Sequence, residues 1–238
     1  MANKGKNRAA AKRQYDKSST YGPDDAGALI RSMAYAKFDE GVDIVFKLGI
    51  DPRKADQLVR GTVSLPHGTG KDVRIVAFVD GELLAEAEEA GADIVGGKEL
   101  AEEISGGRDL DFDIAIAAPN MMPHVGKLGS ILGPRGLMPN PKSGTVTKDV
   151  GKAIKEFKAG RVEYRNDRYG NVHVPVGKVS FESEQLAGNV IALADEIIRS
   201  RPAAAKGRFM QKVTISSTMG PGVNIDAGAL EDAVKALH

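Results

Sequence analysis

The chain has 238 residues, 42% of them hydrophobic and 27% charged, enough to bury one large core or two small ones. It has no Cys, which excludes disulfides, thiolate nucleophiles and thiolate metal sites, and its four His, at 67, 124, 173 and 238, have no metal-ligand spacing. The net charge of +1 is no signature of nucleic-acid binding, no apolar run reaches the roughly 20 residues of a membrane span, and Met1 to Lys17 lacks the apolar centre of a secretory signal, so a cytoplasmic protein without membrane partners is expected.

The first segment carries Lys4, Lys6, Arg8, Lys12, Arg13 and Lys17 against one acid, Asp16. It reads either as a basic arm or helix that gains order on a phosphate backbone, or as a solubilising tail. After the Gly22-Pro23 break, Asp24 or Asp25 is expected to cap a helix with apolar positions at Ala28, Leu29, Met33 and Ala36, ending near Lys37-Phe38. Alternation over Val42 to Leu48 predicts a strand, and Val59 to Leu65 another after the Asp51-Pro52-Arg53 turn.

From Lys71 the rhythm changes. Val73 to Val79, Asp93 to Val95 and Ile114 to Ala118 read as strands, and Glu82 to Ala90 and Glu99 to Ile104 as the helices between them, with a further helix from about Lys148 to Lys158. Alternating β and α predicts a doubly wound layer. The earlier rhythm then returns, with Val162 to Arg165 and Val172 to Val174 as a hairpin around Arg168-Tyr169-Gly170-Asn171, and Gly177 to Phe181 extending that sheet. A long helix over Glu184 to Arg199, stopped by Pro202, and a strand over Val213 to Thr218 complete the prediction.

Neither outer segment makes a convincing domain alone. The expected architecture is therefore α/β with two domains: a discontinuous α+β domain, 1–68 with 160–238, and an inserted Rossmann-like three-layer α/β domain, 69–159. Gly68, Gly70 and Gly160 lie at the two crossings, which together form a double-stranded hinge. Charge divides along the same lines. Residues 69–113 hold 4 basic against 13 acidic residues, and 114–159 hold 7 against 2. The acidic helices are ordinary solvated faces or a protein-interaction surface, while the basic part suits an anion.

That basic part contains a loop from Leu128 to Lys142, reading Leu-Gly-Ser-Ile-Leu-Gly-Pro-Arg-Gly-Leu-Met-Pro-Asn-Pro-Lys, which is too rich in Gly and Pro for regular structure. Its only charges, Arg135 and Lys142, are positive. The loop, Pro119-Asn120-Met121-Met122-Pro123 before it, Ser216-Ser217-Thr218-Met219-Gly220-Pro221-Gly222, Ala36-Lys37-Phe38-Asp39-Glu40 and Arg60-Gly61-Thr62-Val63-Ser64-Leu65-Pro66 occur in order. Together they resemble the family of large-subunit ribosomal protein number one, whose members cap the mobile lateral stalk.

The resemblance implies binding to the rRNA stalk junction alongside other parts of the large subunit, movement beside exit-site tRNA that helps its release, and repression of the protein's own operon messenger RNA through a similar RNA fold. It puts the RNA surface on the discontinuous domain, with Lys37 and Phe38 at a helix end and Thr218, Met219 and Gly220 after the last long strand. Thr218 then offers a hydroxyl and Gly220 an approachable backbone, while Phe38 and Met219 shield the hydrogen bonds from water. Arg53, Arg165 and Lys178 are candidate phosphate or sugar contacts, His173 a hydrogen-bonding one, and Lys127, Arg135 and Lys142 a secondary phosphate contact on the insertion.

An enzyme is not expected, and no cofactor or metal. Gly68-Thr69-Gly70-Lys71-Asp72 lacks the first Gly of a phosphate-binding P-loop and the Ser or Thr after its Lys. Ser130 is outside a nucleophile elbow, and His124 has no carboxylate or nucleophile partner in sequence.

Overall fold

A computed structural model describes residues 5–81 and 83–237. Contacts group the chain into two units, one running to Lys71 and resuming at Val162, the other spanning Asp72–Arg161. Lys4 and Glu82, named above in the basic arm and the first acidic helix, lie outside the described residues.

The outer unit opens with helix α1 (Lys6–Ala11) and helix α2 (Pro23–Met33). Gly22, rather than Asp24 or Asp25, is the N-cap of α2, because Pro23 already has the φ of a first helical residue. The two Asp occupy the first turn, where the helix dipole favours them. The helix stops at Met33, four residues before the expected Lys37, because Tyr35 and Ala36 turn their N–H groups to the Glu40 carboxylate instead of continuing the helical ladder. Strands β1 (Gly41–Leu48) and β2 (Arg60–Ser64) follow.

The inner unit contains β3 (Ile75–Phe78), α3 (Leu83–Glu89), β4 (Ile94–Gly96), α4 (Lys98–Ser105) and β5 (Ile114–Ala117). The strands are parallel in the order β4-β3-β5. All four residues of β3 are buried, as a parallel strand covered on both faces must be. The short helices α5 (Met122–Val125) and α6 (Gly129–Leu132) and then α7 (Val150–Lys158) complete it, with α3 packed on α7 and α4 on α5. The Gly- and Pro-rich segment is thus more regular than its composition suggests. Besides α6, whose Leu132 is buried, it holds a 3-10 turn at Pro141–Ser143, capped by Asn140, whose side-chain oxygen accepts from Lys142 N at 2.8 Å.

Back in the outer unit come β6 (Arg161–Arg165), β7 (Asn171–Lys178), α8 (Ser183–Arg199), β8 (Met210–Ser217), β9 (Val223–Ile225) and α9 (Ala227–Lys235). The expected hairpin between β6 and β7 is reduced to a single bridge, Asn166 to Val172. Asn166 draws β6 towards β2 instead: its side-chain oxygen accepts from Val59 N at 2.8 Å and its own N–H donates to Val59 O at 3.0 Å. A four-stranded antiparallel sheet in the order β7-β1-β8-β9 remains. Val42, Ile44, Phe46 and Leu48 of β1 point into the core shared with α2 and α8, and Asp43, Val45 and Lys47 point the other way.

Buried Asn189 on α8 donates to Gly68 O and Val176 O, both at 2.8 Å, and accepts from His67 N at 3.1 Å. Gly68, Gly70 and Gly160 all have positive φ, and a Cβ at Gly70 would come within 2.8 Å of the Phe181 ring. The buried residues form two apolar clusters with no member in common, one in each unit. Excision of residues 72–161 with a short Gly linker should leave a protein that unfolds in one cooperative transition, observable by circular dichroism on heating. A broad, non-cooperative melt would show that the outer core depends on the inner one.

Candidate nucleic-acid interface

Glu40 is the last residue before β1 and is 1% exposed. Its carboxylate accepts from Ala36 N at 3.0 Å, Tyr35 N at 3.3 Å and Met219 N at 2.9 Å, and from the Ser217 hydroxyl. Burial alone would raise its pKa, but these hydrogen bonds outweigh burial and hold the carboxyl below its ordinary value. The Glu40 carbonyl accepts from Val179 N at 2.9 Å, and the Tyr35 hydroxyl donates to Met219 O at 2.9 Å. The buried charge thus ties the loop after α2 to the end of β8, and the Glu40 carbonyl ties it to the end of β7.

The side chains on those tied loops are apolar and face water: Phe38 is 56% exposed and Met219 45%. Local structure built to hold two large apolar groups in solvent is the kind of exposed patch that marks a contact surface. Beside them, exposed Thr218 donates its N–H at 3.0 Å and its hydroxyl at 3.2 Å to the same Gly41 carbonyl, leaving the hydroxyl lone pairs to accept. Gly220 is not the approachable backbone expected of it. It is buried, its N–H donates to Ser217 Oγ at 3.2 Å, and a Cβ there would come within 2.4 Å of that oxygen. Its contribution is to let Ser217 reach Glu40.

Lys37 is exposed in the same loop, not at a helix end, and Lys178 at the end of β7 is 3.9 Å from Asp39. Asp39 also accepts from Ser180 N at 3.1 Å and Ser180 Oγ at 2.8 Å. His173 lies on the open face of the sheet opposite Val45, 60% exposed, with Nε2 3.5 Å from Asp167. The other expected contacts lie elsewhere on this unit: Arg53 in the loop after β1, its N–H on Asp51 at 3.2 Å, and Arg165 exposed at the end of β6. The open face itself is mixed, with Asp43, Val45 and Lys47 on β1 opposite Lys212, Thr214 and Ser216 on β8. Burial raises the pKa of Asp43, and the nearby charge of His173 opposes the rise.

Exposed Lys6, Arg8, Lys12, Arg13 and Lys17 form the described part of the basic segment, which is helical over Lys6–Ala11. Ala11 is buried in the outer core, and the Tyr15 hydroxyl donates to Gly222 O at 3.0 Å, so the segment is docked rather than a free tail. In the inner unit, Lys127, Arg135 and Lys142 are exposed on successive turns, while Leu132, Leu137 and Met138 of the same segment pack on the core. Among the described residues no group of His, Asp or Glu is arranged to hold a metal, and no helix is long and apolar enough to cross a membrane.

Glu40, Tyr35 and Ser217 are the site residues that sequence reasoning missed. The signal was a pair of acids, Asp39 and Glu40, between a basic, aromatic segment and an apolar strand, which reads as surface until Met219, 179 residues from Glu40, is known to meet it.

Residues 30–221 match the Ribosomal protein L1p/L10e family. The chain is 57% identical over 224 residues to the large ribosomal subunit protein uL1 of Cutibacterium acnes, an alignment that covers 94% of this chain and 96% of that one. It is 51% identical over 226 residues to the protein of the same name from Thermobifida fusca, covering 95% and 96%, and 52% identical over 226 residues to that of Kosmotoga olearia, covering 95% and 97%.

Proposed function

This chain belongs to the ribosomal protein L1p/L10e family, and from that premise and the geometry above we propose that it recognises the rRNA stalk junction through the Glu40-tied surface of its outer unit. It is a structural constituent of the large ribosomal subunit, binds rRNA, works in the cytoplasm and is not an enzyme. The observation that carries the proposal is the pair Phe38 and Met219, kept in water by a buried carboxylate beside an accepting hydroxyl.

A-form RNA hides its base edges in a narrow major groove, so recognition falls to shape and the 2′-hydroxyls of the minor groove. Thr218 accepts such a hydroxyl. Phe38 and Met219 cover the bond, and RNA of the wrong shape leaves buried polar groups unmatched, at about 1–3 kcal/mol each. Lys37, Arg53, Arg165, His173 and Lys178 supply phosphate, sugar or hydrogen-bonding contacts. The basic arm steers, and Lys127, Arg135 and Lys142 make a secondary phosphate contact.

Two finer roles are proposed on the family resemblance. Movement of the insertion about Gly68, Gly70 and Gly160 assists release of deacylated tRNA from the exit site, and the protein's own operon messenger competes with rRNA for the Glu40-tied surface. The test is the affinity of the purified chain for an in vitro transcribed stalk junction against an equally long duplex at near-physiological salt. A preference of about 100-fold, about 2.7 kcal/mol, is expected. Equal affinities would reduce the surface to charge attraction. Addition of the messenger fragment should displace the junction, and simultaneous binding of both would refute a shared surface.

A further inference from the structure

The open sheet carries a second exposed aromatic ring, far from the first. We propose that Tyr169 is a stacking platform for an unpaired nucleotide of the bound RNA, a second contact point that rests on the outer unit being the RNA face. Tyr169 is 65% exposed, more than Phe38, and belongs to neither apolar core. It occupies the tip of the turn between β6 and β7, in which backbone and side chain are held from several directions.

Asp167 fixes this turn. One of its carboxylate oxygens accepts from Tyr169 N at 2.7 Å and Asn171 N at 2.8 Å, and the other from Asn171 Nδ2 at 2.9 Å. Its backbone bonds Asn171 O at 2.7 Å and Gly170 N at 3.2 Å. Gly170 has φ 77°, a conformation that residues with a Cβ resist. Burial works against the Asp167 carboxylate, yet its hydrogen bonds with Asn171, Tyr169 and His173 bring its pKa down to about 2, so the clamp stays ionised at neutral pH. With its backbone held at both the N–H and the carbonyl, an exposed ring loses less freedom on stacking than one on a mobile loop.

The surroundings of the ring select the partner. The Arg168 guanidinium lies 5.6 Å from the ring centroid, and Lys47 Nζ donates to the Tyr169 carbonyl. Lys47 is on the open face of β1, in register with Asn171 and Lys212. An aromatic face with Arg168 and Lys47 close by, and the Asp167 carboxylate engaged by the turn, matches the stacking platforms of single-strand binding, where a base lies on the ring and cations take the backbone.

Position gives the second contact its use. Thr218 is bonded to Gly41 at one end of β1 and Tyr169 to Lys47 near the other, roughly 20 Å apart at about 3.4 Å per residue. The pair fixes which way an RNA lies across the sheet and rewards one with an unpaired base at that distance. A perfect duplex offers no free base face, so Tyr169 adds to the preference for a junction.

The test uses the full chain, Tyr169→Ala and Tyr169→Phe with the transcribed stalk junction and a perfect duplex of equal length. Stacking on an aromatic ring predicts that Tyr169→Ala weakens junction binding about 5- to 100-fold. Tyr169→Phe should stay within about twofold, and all three proteins should bind the duplex alike and melt together, since the ring is in neither core. Junction affinity unchanged in Tyr169→Ala would overturn the platform, as would equal losses on junction and duplex. A native chain without any preference for the junction would instead overturn the RNA-face reading on which the platform rests.

Discussion

Glu40→Gln should lower both the thermal stability of the outer unit and its affinity for the junction RNA, with affinity for a plain duplex unchanged. The carboxylate receives four donors, from Tyr35, Ala36, Met219 and Ser217. An amide keeps one oxygen and replaces the other with an NH2 group that faces donors, so at least one buried N–H or O–H loses its partner. Each such loss costs about 1–3 kcal/mol, and the surviving bonds weaken as their acceptor becomes neutral. A total of about 2–5 kcal/mol corresponds to a fall in Tm of roughly 5–15 °C in a protein of this size. Once the two loops are untied, Phe38 and Met219 lose their fixed positions, and about 10- to 100-fold in junction affinity should go with them.

The pH dependence separates the charge from the side-chain volume. Because the folded pKa of Glu40 is below its unfolded value, its stabilisation is fully present above the ordinary carboxylate range near 4.3. It is lost as pH falls through the lower folded pKa. The native protein should therefore lose stability on acidification more steeply than Glu40→Gln, and the two curves should converge at low pH. Parallel curves, or a Gln variant that binds the junction as tightly as the native chain, would remove Glu40 from its role.

What was legible in the sequence divides by the range of the interaction. β1 and α8 are given by local periodicity: alternate residues of one and the apolar stripe of the other meet one core. The end of α2 has a local cause that helical periodicity does not show: Glu40, four and five residues on, takes the N–H groups of Ala36 and Tyr35 that would have carried the helix towards Phe38. The β6–β7 hairpin failed for a distant one, since the preference of Asn166 for Val59 over a local ladder is set 107 residues away.

Other omissions had a local signal. The helix α9 is capped by Asp226, whose side chain accepts from Gly228 N at 2.8 Å, and buries Ala227, Leu230 and Val234 at helical spacing. Only β9, three residues after a Gly-Pro-Gly run, had too short a pattern to find. At the interface, Phe38, Thr218 and Met219 were carried by resemblance to a family. Their common dependence on Glu40 appears only when the two chain segments are seen together, as does the closed packing that makes Gly220 structural rather than a contact.

Thr218→Val should cost about 5- to 150-fold in junction affinity while leaving stability within about 0.5 kcal/mol, because the residue is exposed, β-branched in both forms, and keeps its N–H bond to Gly41 O. The hydroxyl already spends its only proton on the Gly41 carbonyl, so towards a ligand it can only accept. The matching group on RNA is a donor that DNA lacks, the ribose 2′-hydroxyl. A cycle therefore isolates the bond: native chain and Thr218→Val, each with the junction RNA and with the same RNA carrying single 2′-deoxy substitutions along the contacted strand. At one position the deoxy substitution should weaken the native complex about as much as the Val substitution does, and should weaken the Val complex hardly at all. Thr218→Ser, which keeps the acceptor, should bind nearly as the native chain. If every deoxy substitution acts equally on both proteins, Thr218 does not touch a ribose hydroxyl, and the surface reads RNA by shape through Phe38 and Met219 alone.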